Sequence, residues 1–316
     1  MQNPKYTFLL PAYKAEYFEK ALLSISNQTY KDFKVLVSDD CSPENLKGIF
    51  DNVVGDDSRF TYRRNKENMG GKSLVSHWNL LVDMCDTEFF IMASDDDVYE
   101  STYLEEIDKL TQKYPDVNLF RGRVKKIDES GLLLLNDILY PELLDQAHFF
   151  SLIFSGNYIS CEANYCYRTQ HFKEKGNYVD FPAAWFSDDA THILMSSDGC
   201  ANTRSVVFGF RNSSISISNS WYNSNEAEKK VMASLDFWKW IKEYRTKIVE
   251  DSEKMLVSFA LENCRRKIVR NVENNIQMCG FRAFLRFYSR LKSELNLSMP
   301  VLFYSWLRVY VRQKNI

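Results

Sequence analysis

The sequence predicts an α/β fold, a mainly parallel sheet flanked by helices, with a helical C-terminal appendage. Three observations carry this. Short apolar runs alternate with helical stripes through the first 119 residues, the signature of a parallel sheet covered on both faces. Acidic clusters close two of those apolar runs. From Glu226 onward the chain has helical character, with few glycines and Pro300 as a breaker.

The elements follow in order. Tyr6–Leu10 is a buried-type strand stopped by Pro11. Phe18, Ala21, Leu22 and Ile25 form a helical stripe, and Phe33–Val37 is the second strand. Ser42-Pro43 opens a helix as N-cap and first helical residue, with Leu46, Ile49, Phe50 and Val53 on its apolar face. Phe60–Arg63, a helix through Leu74, Trp78 and Leu81, and strand Phe89–Met92 come next. Thr102 and Glu105 have capping-box spacing ahead of a stripe from Tyr103 to Tyr114. Beyond Leu119 the pattern loosens, with strands near 119–127, 163–168 and 205–210. The expected division is a catalytic domain over 1–222, its nucleotide half 1–119 and acceptor half 120–222, then a helical region over 223–316.

Composition narrows the class. In 316 residues, 26% are charged and the net charge is −2, which speaks against a polyelectrolyte partner such as nucleic acid. The seven cysteines show no CxxC pair and the four histidines no metal-ligand spacing, so reduced buried thiols are expected. Met1–Lys5 runs straight into a strand, which predicts no signal peptide, and no apolar run is long enough to span a bilayer. The expectation is a cytoplasmic protein.

In open parallel sheets, ligands bind beyond the C-terminal strand ends. Asp39-Asp40 and Asp95-Asp96-Asp97 stand at such ends, and Asp188-Asp189 precedes an amphipathic helix. Three adjacent carboxylates repel one another. A divalent cation, Mn²⁺ or Mg²⁺, would relieve that cost and would neutralise a diphosphate leaving group. A solvated acidic turn capping the next helix is the plainer alternative.

Five motifs in order resemble the family 2 glycosyltransferases. Phe8-Leu9-Leu10-Pro11-Ala12-Tyr13 is similar to that family's first strand and nucleotide loop. Ala21–Phe33 contains its Ser-x-x-x-Gln-Thr-Tyr connection. Val37-Ser38-Asp39-Asp40-Cys41-Ser42 resembles its V-D-D-G-S. Asn68-Met69-Gly70-Gly71-Lys72 with Asn79, and Phe89–Tyr99 with the Asp-x-Asp strand end, complete the set. The resemblance covers about the first 130 residues, one α/β domain's length.

The resemblance implies a GT-A fold and an inverting transferase. It would move a sugar from a nucleotide-sugar donor, a UDP-sugar, to a carbohydrate or lipid-linked saccharide acceptor. Asp40 would hydrogen-bond the base, Pro11, Ala12 and Tyr13 would line base and ribose, and Asn68 and Lys72 would lie by the donor. Asp96 would hold the metal, with Asp97 beside it and Asp95 toward the ribose. Asp189 would be the general base. The sequence departs from the family pattern at Ser94, Lys14, Cys41 and Asp188, and the register Asp95-x-Asp97 stays open. So does the plain reading of Asp189 as a helix N-terminal carboxylate. His192 is core, surface or site-facing; Trp185 and Phe186 are core or acceptor-stacking. A nucleotidyltransferase would carry a Gly-rich basic loop after its first strand, which Pro11–Ala15 is not. A non-catalytic protein on a degenerate transferase fold would have lost the acidic triplet, which is intact. The C-terminal segment interleaves basic residues (Arg265 to Lys314) with aromatics (Phe281 to Tyr310). That suits peripheral association with the inner face of a membrane, or a helical appendage packed on the catalytic domain or a second subunit.

Overall fold

The computed structural model describes residues 3–156, 158–214, 224–245, 254–279, 281–298, 300 and 303–304. The chain divides into two compact units. The first comprises Met1–Phe149, Asn157–Val179 and Thr191–Ser213; the second comprises Phe150–Gly156, Asp180–Ala190 and Ser214–Ile316.

In chain order the elements begin with β1 (Tyr6–Ala12), α1 (Phe18–Ser26), β2 (Phe33–Asp39), α2 (Leu46–Val54), β3 (Phe60–Arg64), α3 (Gly70–Met84) and β4 (Phe89–Met92). Next are β5 (Val98–Tyr99), α4 (Tyr103–Lys113), β6 (Leu119–Ile127), β7 (Leu133–Asn136), β8 (Leu143–Leu144) and α5 (Gln146–Ile153). Then come β9 (Tyr165–Arg168), α6 (Thr169–Glu174), α7 (Ser187–Met195), β10 (Cys200–Arg211), α8 (Ser224–Tyr244), α9 (Lys254–Ile276) and α10 (Phe281–Leu295).

The first unit is built on a sheet ordered β3-β2-β1-β4-β9-β6-β10-β5, with β7 on β6 and β8 on β10. β3, β2, β1 and β4 are mutually parallel, whereas β9 runs antiparallel to both β4 and β6. The sheet is therefore mixed beyond β4. The parallel strands are the near-continuous apolar runs of the sequence, as burial on both faces requires. β1 continues through Pro11 to Ala12 instead of stopping there. The carbonyl of Leu9 accepts from Ala93, so Pro11, two residues on, faces β4's side after that pairing has ended at Leu9↔Met92. Its missing N–H costs no ladder bond there.

Two expected caps are replaced. α2 begins at Leu46 under Asn45, whose Oδ1 accepts from the Gly48 N–H at 3.0 Å. Ser42 instead donates to the Tyr13 carbonyl at 2.6 Å. Thr102 makes no side-chain cap; Glu105 accepts from Thr29 at 3.1 Å and pairs with Lys109.

The second unit packs α8, α9 and α10 around Val231, Leu235, Phe237, Leu261, Ile268 and Leu291. Phe237 stacks flat on Phe186 at 4.7 Å between centroids. On α10 the apolar face is buried at Phe284, Phe287, Leu291 and Leu295, while Arg286 pairs with Glu228 and Arg290 with Asp236 and Glu294. This helix uses its amphipathic face for packing within the unit. Trp306, Arg308, Tyr310, Arg312 and Lys314 lie outside the described residues.

Candidate active site

β1, β2 and β4 end side by side, which brings Ala12 to Tyr13, Asp39 to Asp40 and Ser94 to Asp97 to one edge of the first unit. The two aspartates closing β2 do different work. Asp39 is fully buried and holds the edge together: it accepts from the Ser42 N–H at 2.8 Å and from Tyr62 and Arg64. Asp40 receives Asn65 Nδ2 at 2.8 Å and the Met69 N–H at 2.9 Å on one oxygen, and the Gly70 N–H at 2.7 Å on the other. It therefore caps the first turn of α3, where backbone donors would otherwise be orphaned. A carboxylate accepts about four hydrogen bonds, so Asp40 keeps capacity for a further donor.

Behind Asp40 lies His77, 1% exposed. Its Nε2 stands 3.0 Å from Ser38 Oγ and 3.2 Å from Asn65 Nδ2. An amide nitrogen only donates, so with the amide oriented this way Nε2 is the unprotonated nitrogen. The proton sits on Nδ1, 3.7 Å from an Asp40 oxygen. Burial, helped by Arg63 and opposed by Asp40, lowers the pKa of this imidazole.

The acidic triplet also divides. Asp95 turns back to the β1 loop, one oxygen accepting the Tyr13 and Lys14 N–H groups at 2.8 Å each. Burial and the Asp96 charge push its pKa up against those two donors. Asp97 is buried, accepting from Ser94 Oγ at 2.6 Å and from the Arg211 N–H at 2.7 Å. Burial first, then the Asp96 charge, push its pKa up to about 8. Asp96 has neither tie; its nearest cation is Lys14 Nζ at 3.8 Å. Arg211 braces the loop, donating from Nε to the Asp96 carbonyl at 2.9 Å with its guanidinium 4.5 Å over the Tyr17 ring.

The other expected residues are placed as follows. Pro11 and Ala12 form the end of β1, and Tyr13 is 40% exposed just beyond. Asn68 accepts from the Gly71 N–H at 2.5 Å, closing a turn. Lys72 forms an exposed pair with Glu67 at 2.6 Å. His192, in the first unit, is fully buried, stacked 3.8 Å on Tyr165 with Nε2 3.2 Å from Glu162; it is a core residue. In the second unit Asp189 lies in the first turn of α7, ion-paired at 2.8 Å with Lys267. Burial is the largest influence on Lys267 and lowers its pKa, but the charge and hydrogen bond of Asp189, with the charges of Asp188 and Cys264, together carry the net shift upward. Phe186 is core, and Trp185 carries Lys230 Nζ 4.4 Å over its ring. Ala183, Ala184 and Phe186 all have φ between 55° and 67°, a strained approach to α7 for residues with side chains.

Sequence reasoning missed Asn65, His77 and Arg211, and met Lys14 only as a departure. All four matter through contacts 12 to 115 residues distant in the chain, which local pattern does not report.

Among the described residues no group of three or more His, Cys, Asp or Glu side chains is arranged to hold a metal. The donor set suits a cation completed by substrate: Asp96 supplies one hard oxygen ligand, as Mg²⁺ and Mn²⁺ sites that borrow phosphate oxygens require. Asp97, committed to Ser94 and Arg211, is less available than the sequence suggested.

The model of the family described as Glycosyl transferase family 2 matches residues 7–173, more than half of the chain. A curated relative, the Campylobacter jejuni GalNAc(5)-diNAcBac-PP-undecaprenol beta-1,3-glucosyltransferase, is 34% identical over 95 residues, a match spanning 30% of this chain and 30% of the relative. Among solved structures, S. aureus TarS 1–349 in complex with UDP-GlcNAc superposes with a TM-score of 0.65 at 14% identity, covering 95% of this chain and 87% of that one. Mannosyltransferase PcManGT from Pyrobaculum calidifontis, in complex with GDP-Man and Mn²⁺, gives 0.56 at 13% identity, covering 98% and 85%. At these identities the likeness establishes the fold, the GT-A arrangement.

Proposed function

The chain belongs to glycosyl transferase family 2, and from that premise we propose that it transfers a sugar, with inversion, from a uridine-diphosphate sugar to a hydroxyl of a carbohydrate or lipid-linked saccharide. The observation that carries this reading is the division of the triplet. Asp95 and Asp97 are tied into the protein, leaving Asp96 as the carboxylate free to take a divalent cation with the donor. Mn²⁺ or Mg²⁺ bound there would supply electrostatic stabilisation of the departing diphosphate. The PcManGT complex with GDP-Man and Mn²⁺, and the TarS complex with UDP-GlcNAc, support a nucleotide-sugar donor.

Each step then has a residue. Asp40 accepts a ring N–H of the base with the capacity its helix cap leaves. Pro11, Ala12 and Tyr13 line base and ribose, and Asp95 fixes that loop. Asn68 sets the turn that shapes the α3 end of the site. Lys14, beside Asp96, is better placed than Lys72 to meet phosphate charge; Lys72 would first have to leave Glu67. Asp189 takes the acceptor proton as the acceptor oxygen bonds to the anomeric carbon and the bond to diphosphate breaks. Lys267 holds that carboxylate in position through its ion pair. Residues 1–119 read the nucleotide, 120–222 the acceptor, and 223–316 form an appendage.

The undecaprenol-linked substrate in the relative's name supports a lipid-linked acceptor, which would bring the protein to the inner face of a membrane as a peripheral partner. No described helix is long and apolar enough to cross one. The test is a panel of nucleotide sugars assayed for slow hydrolysis with Mn²⁺. Uridine donors should be turned over fastest; clear preference for a guanosine or thymidine donor would contradict the assigned base pocket.

A further inference from the structure

The hairpin of β6 and β7 exposes an unusual amount of apolar surface. Leu132, Leu133, Leu134 and Leu135 are consecutive and 54–68% exposed, and Ile138 and Leu139 are each 52% exposed. All four β7 residues are exposed, and because consecutive strand side chains alternate, the leucines line both faces of the hairpin. β7 pairs with β6 on one edge, through Lys125↔Asn136, Lys126↔Leu135 and Ile127↔Leu133. Among the described residues no strand pairs with its other edge.

The edge decides which occupant fits. A strand with a free edge is a poor object to place in hydrocarbon, because its unpaired N–H and C=O groups would find no partner there. The turn at the hairpin tip also carries Asp128 and Glu129, which an anionic lipid surface repels. A second strand meets both demands, pairing the edge and covering the leucines. A second copy of this chain meets them with the same residues, since a two-fold axis sets β7 against β7 in antiparallel register, leucine opposite leucine. Antiparallel pairing also turns the acidic tip of one hairpin, Asp128 and Glu129, toward the end of the other that carries Lys126.

We propose that the β6–β7 hairpin is a self-association surface, through which two copies of this chain pair β7 to β7 about a two-fold axis. The inference stands apart from the donor and metal assignments and fails separately from them.

The test is sedimentation velocity on the full chain over about 1–100 μM, the range in which a moderate dimer dissociates, for wild type and for Leu133→Lys/Leu135→Lys. Both side chains are more than half exposed, so the variant should keep its far-UV circular dichroism and melting temperature. Leu134→Glu provides a second, independent variant. The proposal expects a wild-type dimer that dissociates on dilution, and at least a tenfold weaker dimer in both variants. A wild type that stays monomeric throughout overturns it, as does a dimer that both variants leave intact. Flotation with phosphatidylethanolamine–phosphatidylglycerol vesicles is run in parallel. A monomeric wild type that floats, and loses flotation in Leu133→Lys/Leu135→Lys, assigns the surface to lipid and also overturns the proposal.

Discussion

At the scale of single residues, His77 connects the helix cap to the edge of the sheet. Its lowered pKa means that the folded protein resists a proton which the unfolded chain accepts near pH 6.5. Stability from this group is complete above that value and is lost as pH falls through the folded pKa. His77→Gln should therefore flatten the decline in melting temperature as pH falls below about 6.5 relative to wild type; an unchanged slope would remove His77 from this role. Lys267 offers a kinetic counterpart. With Lys267→Met, the carboxylate of Asp189 loses its ion-pair partner, and kcat/KM should fall by at least about tenfold. An unchanged kcat/KM would mean that Lys267 serves only the fold. Both residues escaped the sequence because their partners are remote: His77 meets Ser38 across 39 positions, and Lys267 meets Asp189 across 78. The triplet itself was visible as three adjacent letters. Its division was not, since Asp97 is claimed by a backbone N–H 114 positions away.

At the scale of elements, burial on both faces made β1, β2 and β4 readable as apolar runs, and their acidic ends came with them. Helix starts were less legible. Ser42 had the composition of a cap, but the Tyr13 carbonyl captures its hydroxyl and Asn45 caps instead. The antiparallel β9 between β4 and β6 was also hidden, because strand direction is set by the route of the intervening chain and not by the strand's own residues. β6 carries a buried charge as well. Arg121 and Asp137 are both inaccessible and paired, with the guanidinium 4.2 Å over the Tyr158 ring. Asp137→Ala should destabilise by about 3–5 kcal/mol in urea unfolding, since it leaves the cation buried and unpaired. Removing both charges as Arg121→Met/Asp137→Leu should recover most of that loss; no recovery would show that the pair does more than neutralise itself.

At the scale of the whole molecule, one unit holds the nucleotide-type sheet edge and the other holds Asp189, Lys267 and the three long helices. The basic aromatic C-terminal pattern had two readings from sequence, because amphipathic helices look alike whether they face lipid or protein. On α10, Phe284 and Leu291 are buried within the second unit. The central claim is that Asp96 joins a divalent cation to a nucleoside diphosphate. The most direct measurement is thermal shift with UDP, with and without Mn²⁺, for wild type and Asp96→Asn. The account predicts a metal-dependent rise in melting temperature in wild type that is absent in the variant. No response to any nucleoside diphosphate, or an equal rise in Asp96→Asn, would contradict it.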